Sequence, residues 1–261
     1  MNQAFSHRRG SARLTFTDAA GAPLKNQTIA YELVKHRFLF GFGAFDAVDA
    51  AMESTPPEQK AVLEDRLGKM LAIFNYGTLP FYWGRFEKEE GQPETQALLG
   101  GARWLLSRGV KVKGHPLCWH TVCAPWLLKY DNAAILDKQL ARIRREVADF
   151  KGLIDTWDVI NEVVIMPVFD KYDNAVTRIA EDLGRVGIVK AVFEAARELN
   201  PEATLILNDF DMSPKYERLI GDCLDAGIRI DVIGLQSHQH QGYWGMEKLQ
   251  DVLKRFSRFG L

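Results

Sequence analysis

Short apolar runs ending in polar or aromatic residues alternate with amphipathic stretches of helical period along most of this chain. The strand candidates are FLFGFG from Phe38, AIFNYG from Ala72, VKVKGH from Val110, DTWDVINE from Asp155, TLILND from Thr204 and DVIGLQSH from Asp231. Their starts lie 27 to 49 residues apart, which leaves room for a helix and its turns in every interval. Several helix ends are legible. Thr55, Pro56 and Glu58 make a capping-box arrangement, and Ser213 followed by Pro214 opens a helix by the same logic. Gly109 sits where a C-terminal glycine belongs, after the helix containing Ala102 to Leu106. Between Asp131 and Phe150, residues Ile135, Leu136, Leu140, Ile143 and Val147 recur at helical spacing. Such alternation predicts parallel strands covered by helices, in an open doubly wound sheet or a closed barrel.

The sixth strand separates the two. Ile233 and Leu235 have one parity, whereas Gly234, Gln236, His238 and His240 have the other. A flat parallel sheet covered on both faces should be apolar on both, while a barrel strand turns polar where it opens into a site. The segment Phe40-Gly41-Phe42-Gly43 also lacks the rest of a dinucleotide-binding fingerprint. The expectation is a (β/α)8 TIM barrel of which six β/α units are readable. Two further units would need roughly 60 to 90 more residues, so the barrel is expected to be unfinished at Leu261. Ahead of it, residues 1–12 read as a polar tail. Residues 13–37, with RLTF, the turn-rich DAAGAPLKN and QTIAYEL, read as a β-ribbon, which leaves 38–261 for the incomplete barrel.

Composition removes other classes. Lys plus Arg is 33 against 34 for Asp plus Glu, a net charge of -1 that argues against an electrostatic nucleic-acid binder. The longest apolar run, Val163 to Phe169, contains Pro167 and falls far short of the ~18 residues of a membrane span. No basic stretch followed by an apolar segment opens the chain, so no signal peptide is visible in it. Cys118, Cys123 and Cys223 form neither a disulfide framework nor a zinc pattern.

Chemistry-bearing residues gather at the strand ends, where a barrel keeps its site. His115, Trp119, His120 and Trp126 fall within twelve residues, a composition suited to sugars because indoles lie on pyranose faces and imidazoles bond hydroxyls. Packing under a loop is the competing reading for Trp126 and Trp119. In Trp157-Asp158-Val159-Ile160-Asn161-Glu162, strand alternation would point both Asp158 and Glu162 inward. A carboxyl walled by tryptophans has its pKa raised, as a general acid requires, although a strand-end Glu also serves as a helix cap or an ion-pair partner. Asp209 and Asp211 follow on the next strand, and His238 with His240 allows a metal reading that would need further ligands such as His115 or Asp209.

Taken in order, these pieces resemble glycoside hydrolase family 10, the endo-1,4-β-xylanases. The resemblance rests on Phe38 to Gly41, Phe74-Asn75, Trp83 to Glu87 with Gly91, GHPLCWH at 114–120, WDVINE at 157–162, LND at 207–209 and LQSH at 235–238. It implies retaining hydrolysis of internal β-1,4-xylosidic bonds by two carboxylates about 5 to 5.5 Å apart. By resemblance Glu162 is the acid/base, and Asn161, His115, Trp119, His120, Gln236, His238 and Asn75 are substrate-binding residues. It implies a polysaccharide partner, no cofactor or metal, neither nucleic acid nor membrane, and a secreted or periplasmic setting. Two features depart from the family. A glutamate, an asparagine and a lysine that usually follow Phe74-Asn75 are replaced by Tyr76 to Tyr82, which puts the glycone subsites in question. The family's nucleophile, on a seventh strand, would lie beyond Leu261, so this chain alone is expected to be inactive. Neither Asp209 nor Asp211 occupies its place. A carbohydrate-binding pseudoenzyme and a barrel glycosidase for another β-glycan are the alternatives.

Overall fold

The computed structural model describes residues 11–32, 37–240 and 242–261. The chain divides into two units, Met1–Phe38 and Leu39–Leu261. In the first, Asp18 accepts hydrogen bonds from the backbone N–H groups of Ala20 and Ala22, closing a tight turn beside one antiparallel bridge between Thr17 and Pro23. That bridge is what the described residues hold of the expected ribbon; 33–36 and most of the expected tail lie outside them.

The second unit is a six-stranded parallel sheet. Its strands are β1 (Gly41–Gly43), β2 (Tyr76–Pro80), β3 (Lys111–His115), β4 (Thr156–Asn161), β5 (Thr204–Asp209) and β6 (Val232–Leu235). Spatial order equals chain order throughout, without the reversal that marks a doubly wound sheet. The arrangement is six units of a (β/α)8 barrel. The helices are α1 (Asp46–Ala51), α2 (Pro57–Leu71), α3 (Trp83–Phe86), α4 (Thr95–Leu106), α5 (Asn132–Asp149), α6 (Ala175–Leu199), α7 (Pro214–Asp225) and α8 (Gly245–Phe256).

Side-chain caps fix the starts of three of these eight helices, α5, α6 and α7. The Asp131 carboxylate accepts from the Ala134 N–H at the start of α5, and Ser213 accepts from Lys215 at the start of α7. Gly109 takes φ 71° after α4, a conformation natural to glycine. Three expectations shift, and the first is that β1 begins at Gly41 rather than at Phe38. Thr55 does not cap α2; its hydroxyl donates to the Asp49 carbonyl, and the helix begins at Pro57. The second strand begins at Tyr76, four residues later than the apolar run suggests, because Ala72 and Phe74 donate to the carbonyls of Gly68 and Met70 and finish α2. Ile73, apolar but in that last turn, is exposed.

The core lies between sheet and helices. Trp157 is fully buried and meets Phe81 and Phe150 edge-on, with ring centroids 4.9 and 6.2 Å away. Burying such a side chain is worth at most ~5 kcal/mol of transfer free energy. Glycine is required opposite it, since a Cβ on Gly114 would stand 2.1 Å from the indole. Trp157 therefore locks β4 against β3, two of the strands that carry the site.

Candidate active site

At the carboxyl ends of β2 to β6 lies a cleft of about 490 Å³, lined by Tyr82, His115, Trp119, Asn161, Glu162, Gln236 and His238 among others. Its deepest charged group is Asp158, 1% exposed. The Oδ2 atom of this carboxylate lies 2.8 Å from Lys113 Nζ and 2.5 Å from His115 Nδ1. Burial alone would push the carboxyl up; the His115 hydrogen bond and the Lys113 charge outweigh it and hold Asp158 below the usual carboxylate range. Lys113 was not singled out from the sequence. The signal was present, since it shares parity with His115 in a strand whose interior side chains must be paired if charged.

Glu162 reaches the same cleft by a different route. Simple alternation fails in β4, because the register with β5 shifts between Asp158 and Ile160. The bulge leaves Ile160 in the core and puts both Asp158 and Asn161 on the cleft wall. Glu162 then takes φ 60°, a left-handed conformation that costs a non-glycine residue ~1 kcal/mol or more. Hydrogen bonds from its own N–H to the Asn208 carbonyl and from the Met166 N–H to the Glu162 carbonyl hold it there. The inward position expected for Glu162 is therefore met, but through a bulge and a strained residue rather than through strand parity.

Two neutral donors address the Glu162 carboxylate. Trp119 Nε1 donates to Oε2 at 2.9 Å, and Gln236 Nε2 donates to Oε1 at 3.2 Å. Gln236 Nε2 and Asn208 Nδ2 also donate to Asn161 Oδ1, each at 2.9 Å, so the oxygen side of that amide is engaged within the protein. His238 Nε2 pairs with Gln236 Oε1 at 2.9 Å. Glycine is needed beneath them, as a Cβ on Gly234 would meet Asn208 Oδ1 at 2.3 Å. The loop bearing Trp119 is tied down from α5: Arg142, buried, donates to the carbonyls of Leu117 and Phe81, and Gln139 Nε2 donates to Leu117 at 3.0 Å. Tyr82 adds an aromatic wall, its ring centroid 5.7 Å from those of both His115 and Trp119.

Two expected site residues stand apart. His120 is 1% exposed, packed on Phe169 at 4.4 Å; burial lowers its pKa to about 4, and it does not line the cleft. Asn75 precedes β2, at the amino end of the strand, where its Oδ1 accepts from the Phe40 N–H at 2.8 Å and ties β1 to β2. Trp126 follows the packing reading: it donates to the Glu87 carbonyl and meets Trp83 edge-on. Asp209 is buried, accepting from the backbone N–H groups of Val164 and Asp211, and burial raises its pKa to about 6. It clamps the backbone beyond Glu162. His238 and His240 stack at 4.8 Å, but among the described residues no group of three or more potential ligands could hold a metal.

Known proteins share this architecture. A Dictyoglomus thermophilum β-1,4-xylanase is 29% identical over 163 residues, covering 60% of this chain and 45% of the relative. Endo-1,4-β-xylanase 3 of Hypocrea jecorina is 30% identical over 173 residues, covering 61% and 47%. The chain thus spans about half the length of these curated relatives. Native xylanase 10B from Thermotoga maritima superposes with a TM-score of 0.65 at 25% identity, over 76% of this chain and 63% of that one. An endoxylanase retrieved from a sugarcane soil metagenome superposes at 0.70 and 22% identity, over 86% and 65%, and speaks for the fold alone. The profile of glycosyl hydrolase family 10 matches residues 81–261, the stretch holding Trp119, Asn161, Glu162 and Gln236. With half-barrel, cleft and profile in agreement, this chain belongs to glycosyl hydrolase family 10.

Proposed function

We propose that this chain carries the acid/base and sugar-binding half of a retaining endo-β-1,4-xylanase site, with Glu162 as the acid/base. The observation that carries the reading is the Glu162 carboxylate on a strained residue at the cleft wall, held by Trp119 and Gln236. These donors orient the carboxyl at the cleft wall, where an acid/base has to stand to serve a glycosidic oxygen. Asn161, with its oxygen engaged, offers its NH2 to a sugar hydroxyl beside the bond under attack. Trp119 and Tyr82 supply ring faces for pyranoses, and His115, His238 and Gln236 supply polar contacts.

A retaining mechanism needs a second carboxylate as nucleophile. Asp158 and Glu162 are the carboxylates that line this cleft among the described residues, and Asp158 is paired to Lys113 and His115. Asp209 is committed to backbone N–H groups. The chain alone therefore binds glycan without completing turnover. Its substrate is a xylan-type polysaccharide met outside the cytoplasm, and no helix among the described residues is long and apolar enough to cross a membrane.

Calorimetric titration with xylohexaose and cellohexaose tests this. Xylohexaose should bind saturably and about tenfold more tightly than cellohexaose, with Trp119→Ala losing most of that affinity. Tighter binding of cellohexaose would move the assignment to another β-glycan; no binding of either would overturn it.

A further inference from the structure

A cluster of charge stands behind the aromatic wall of the cleft, on the inner face of α5, and the contacts to a glycan do not use it. Arg142 and Glu146 are one helical turn apart there, both buried, so their side chains share a face. Arg145 reaches from the same helix toward the segment between β2 and α4. Its Nη2 lies 2.6 Å from Glu87 Oε2 and 2.8 Å from Glu146 Oε1. Glu87 is buried as well, and accepts from the Trp83 indole at 3.0 Å and from the Gly91 N–H at 2.8 Å. Arg142 sets its guanidinium over the Trp83 ring, 5.0 Å from the centroid. Two carboxyls and two guanidinium groups therefore share one interior site.

The two carboxyls are held differently. Burial works to raise the Glu87 carboxyl, and hydrogen bonds from Arg145, Gly91 and Trp83 outweigh it and hold that group below its ordinary value. Glu146 has one oxygen engaged by Arg145; the other, Oε2, is buried with no hydrogen-bond partner among the described residues. Burial raises its pKa to about 7, against the pull of Arg142 and Arg145. One turn back, Arg142 Nε is also buried and unpartnered, while its two Nη atoms donate to the carbonyls of Phe81 and Leu117. Phe81 precedes Tyr82, and Leu117 precedes Trp119 by two residues, so Arg142 sets two rings of the cleft wall and, through Trp119, the Glu162 carboxylate. The other charged groups nearby are Asp149 on α5, and Asp182 and Glu198 of α6, which Asn132 and Arg144 engage. The loop after β3 adds the thiols of Cys118 and Cys123, both pushed up by burial.

We propose that Glu146 is a positioning residue that makes the sugar-facing wall sensitive to pH, acting through Arg142. The inference rests on the reading of the cleft as a β-1,4-glycan site. With Glu146 protonated, Arg142 stays on the carbonyls of Phe81 and Leu117, and the rings of Tyr82 and Trp119 keep their places. When the proton leaves to solvent, Oε2 becomes a buried carboxylate oxygen without a partner, a costly state. Arg142 carries the unengaged donor on the same face, so it turns toward Glu146 and gives up part of its hold on the two loops. A glycan then favours the protonated form, and by linkage its affinity is highest below the Glu146 titration and falls as pH rises through it.

Calorimetric titration of the chain with xylohexaose at about pH 5.5 and about pH 8.5 brackets the Glu146 titration at about 7. Wild-type affinity should fall about fivefold between the two, the low end of couplings between separated groups. Glu146→Gln fixes the neutral form at equal size. It should bind as the wild type does at the lower pH and lose most of the fall, any remainder belonging to other titratable groups of the cleft, His115 and His238 among them. Tryptophan fluorescence of the unliganded chain, from Trp83 against Arg142 and Trp119 at the wall, should show a step at about pH 7 that Glu146→Gln lacks. Equal binding profiles in the two chains, or weak binding by Glu146→Gln at both pH values, overturn the positioning role while leaving the cleft assignment standing. If neither chain binds xylohexaose, the cleft reading fails. The fluorescence step then decides the role of Glu146: its loss in Glu146→Gln supports the coupling to the wall, and its absence from the wild type or persistence in the variant overturns it.

Discussion

Asp158, on β4, and Glu162, just beyond its end, stand four residues apart and line one cleft, yet their surroundings are opposite in kind. Asp158 lies at the bottom, almost without exposure, between a lysine and a histidine. Glu162 lies at the rim, on a left-handed residue, between an indole and an amide. Cations beside a carboxylate hold it ionised and turn it into a fastener between strands. Neutral donors, an indole and an amide, hold the position of the other. The contrast separates a group ion-paired at the base of the cleft from one held at its wall by neutral donors, although both are inward-facing acids of the same segment.

That contrast can be broken from either side. The larger effect is expected at the bottom. Asp158→Asn leaves Lys113 facing the interior without its counter-charge, and should cost about 3 kcal/mol in urea unfolding at neutral pH. Because the folded pKa of Asp158 is depressed, its contribution is present above the unfolded value near ~3.9 and lost as pH falls through the folded one. Stability of the wild-type chain should therefore drop more steeply below about pH 4 than that of Asp158→Asn. An unchanged midpoint in the variant would show that the pair adds nothing to the fold.

At the rim the effect on folding is smaller. Glu162→Gln keeps the size of the side chain and one acceptor for Trp119 or Gln236, so unfolding should shift by less than ~1 kcal/mol. Xylohexaose affinity should stay within a few-fold of wild type, since hydroxyl contacts from Asn161 and the ring faces remain. A loss of stability as large as that of Asp158→Asn would make Glu162 another fastener and remove the distinction.

Much of this arrangement was legible in the residues. The alternation of strands and helices and the caps at Asp131 and Ser213 follow from pattern and chemistry, and the family resemblance groups Trp119, Asn161, Glu162 and Gln236, which line one cleft. What escaped depends on three-dimensional neighbours. Ala72 to Phe74 reads equally well as strand or as the last helical turn, and backbone bonds to Gly68 and Met70 decide it. Parity along β4 cannot reveal a bulge set by its pairing with β5. Motif order placed His120 and Asn75 in the site, whereas burial of one and the strand end of the other assign them to support. Lys113 was overlooked because its partner, Asp158, lies 45 residues away.

The distinction between the two carboxylates is tested most directly by a crystal structure of the chain with bound xylohexaose. The account predicts a glycosidic oxygen within about 2.6–3.2 Å of a Glu162 carboxyl oxygen, with Asp158 still paired to Lys113 and His115 and touching no sugar. A glycan seated away from Glu162, or one whose glycosidic oxygen is addressed by an Asp158 released from Lys113, would contradict it.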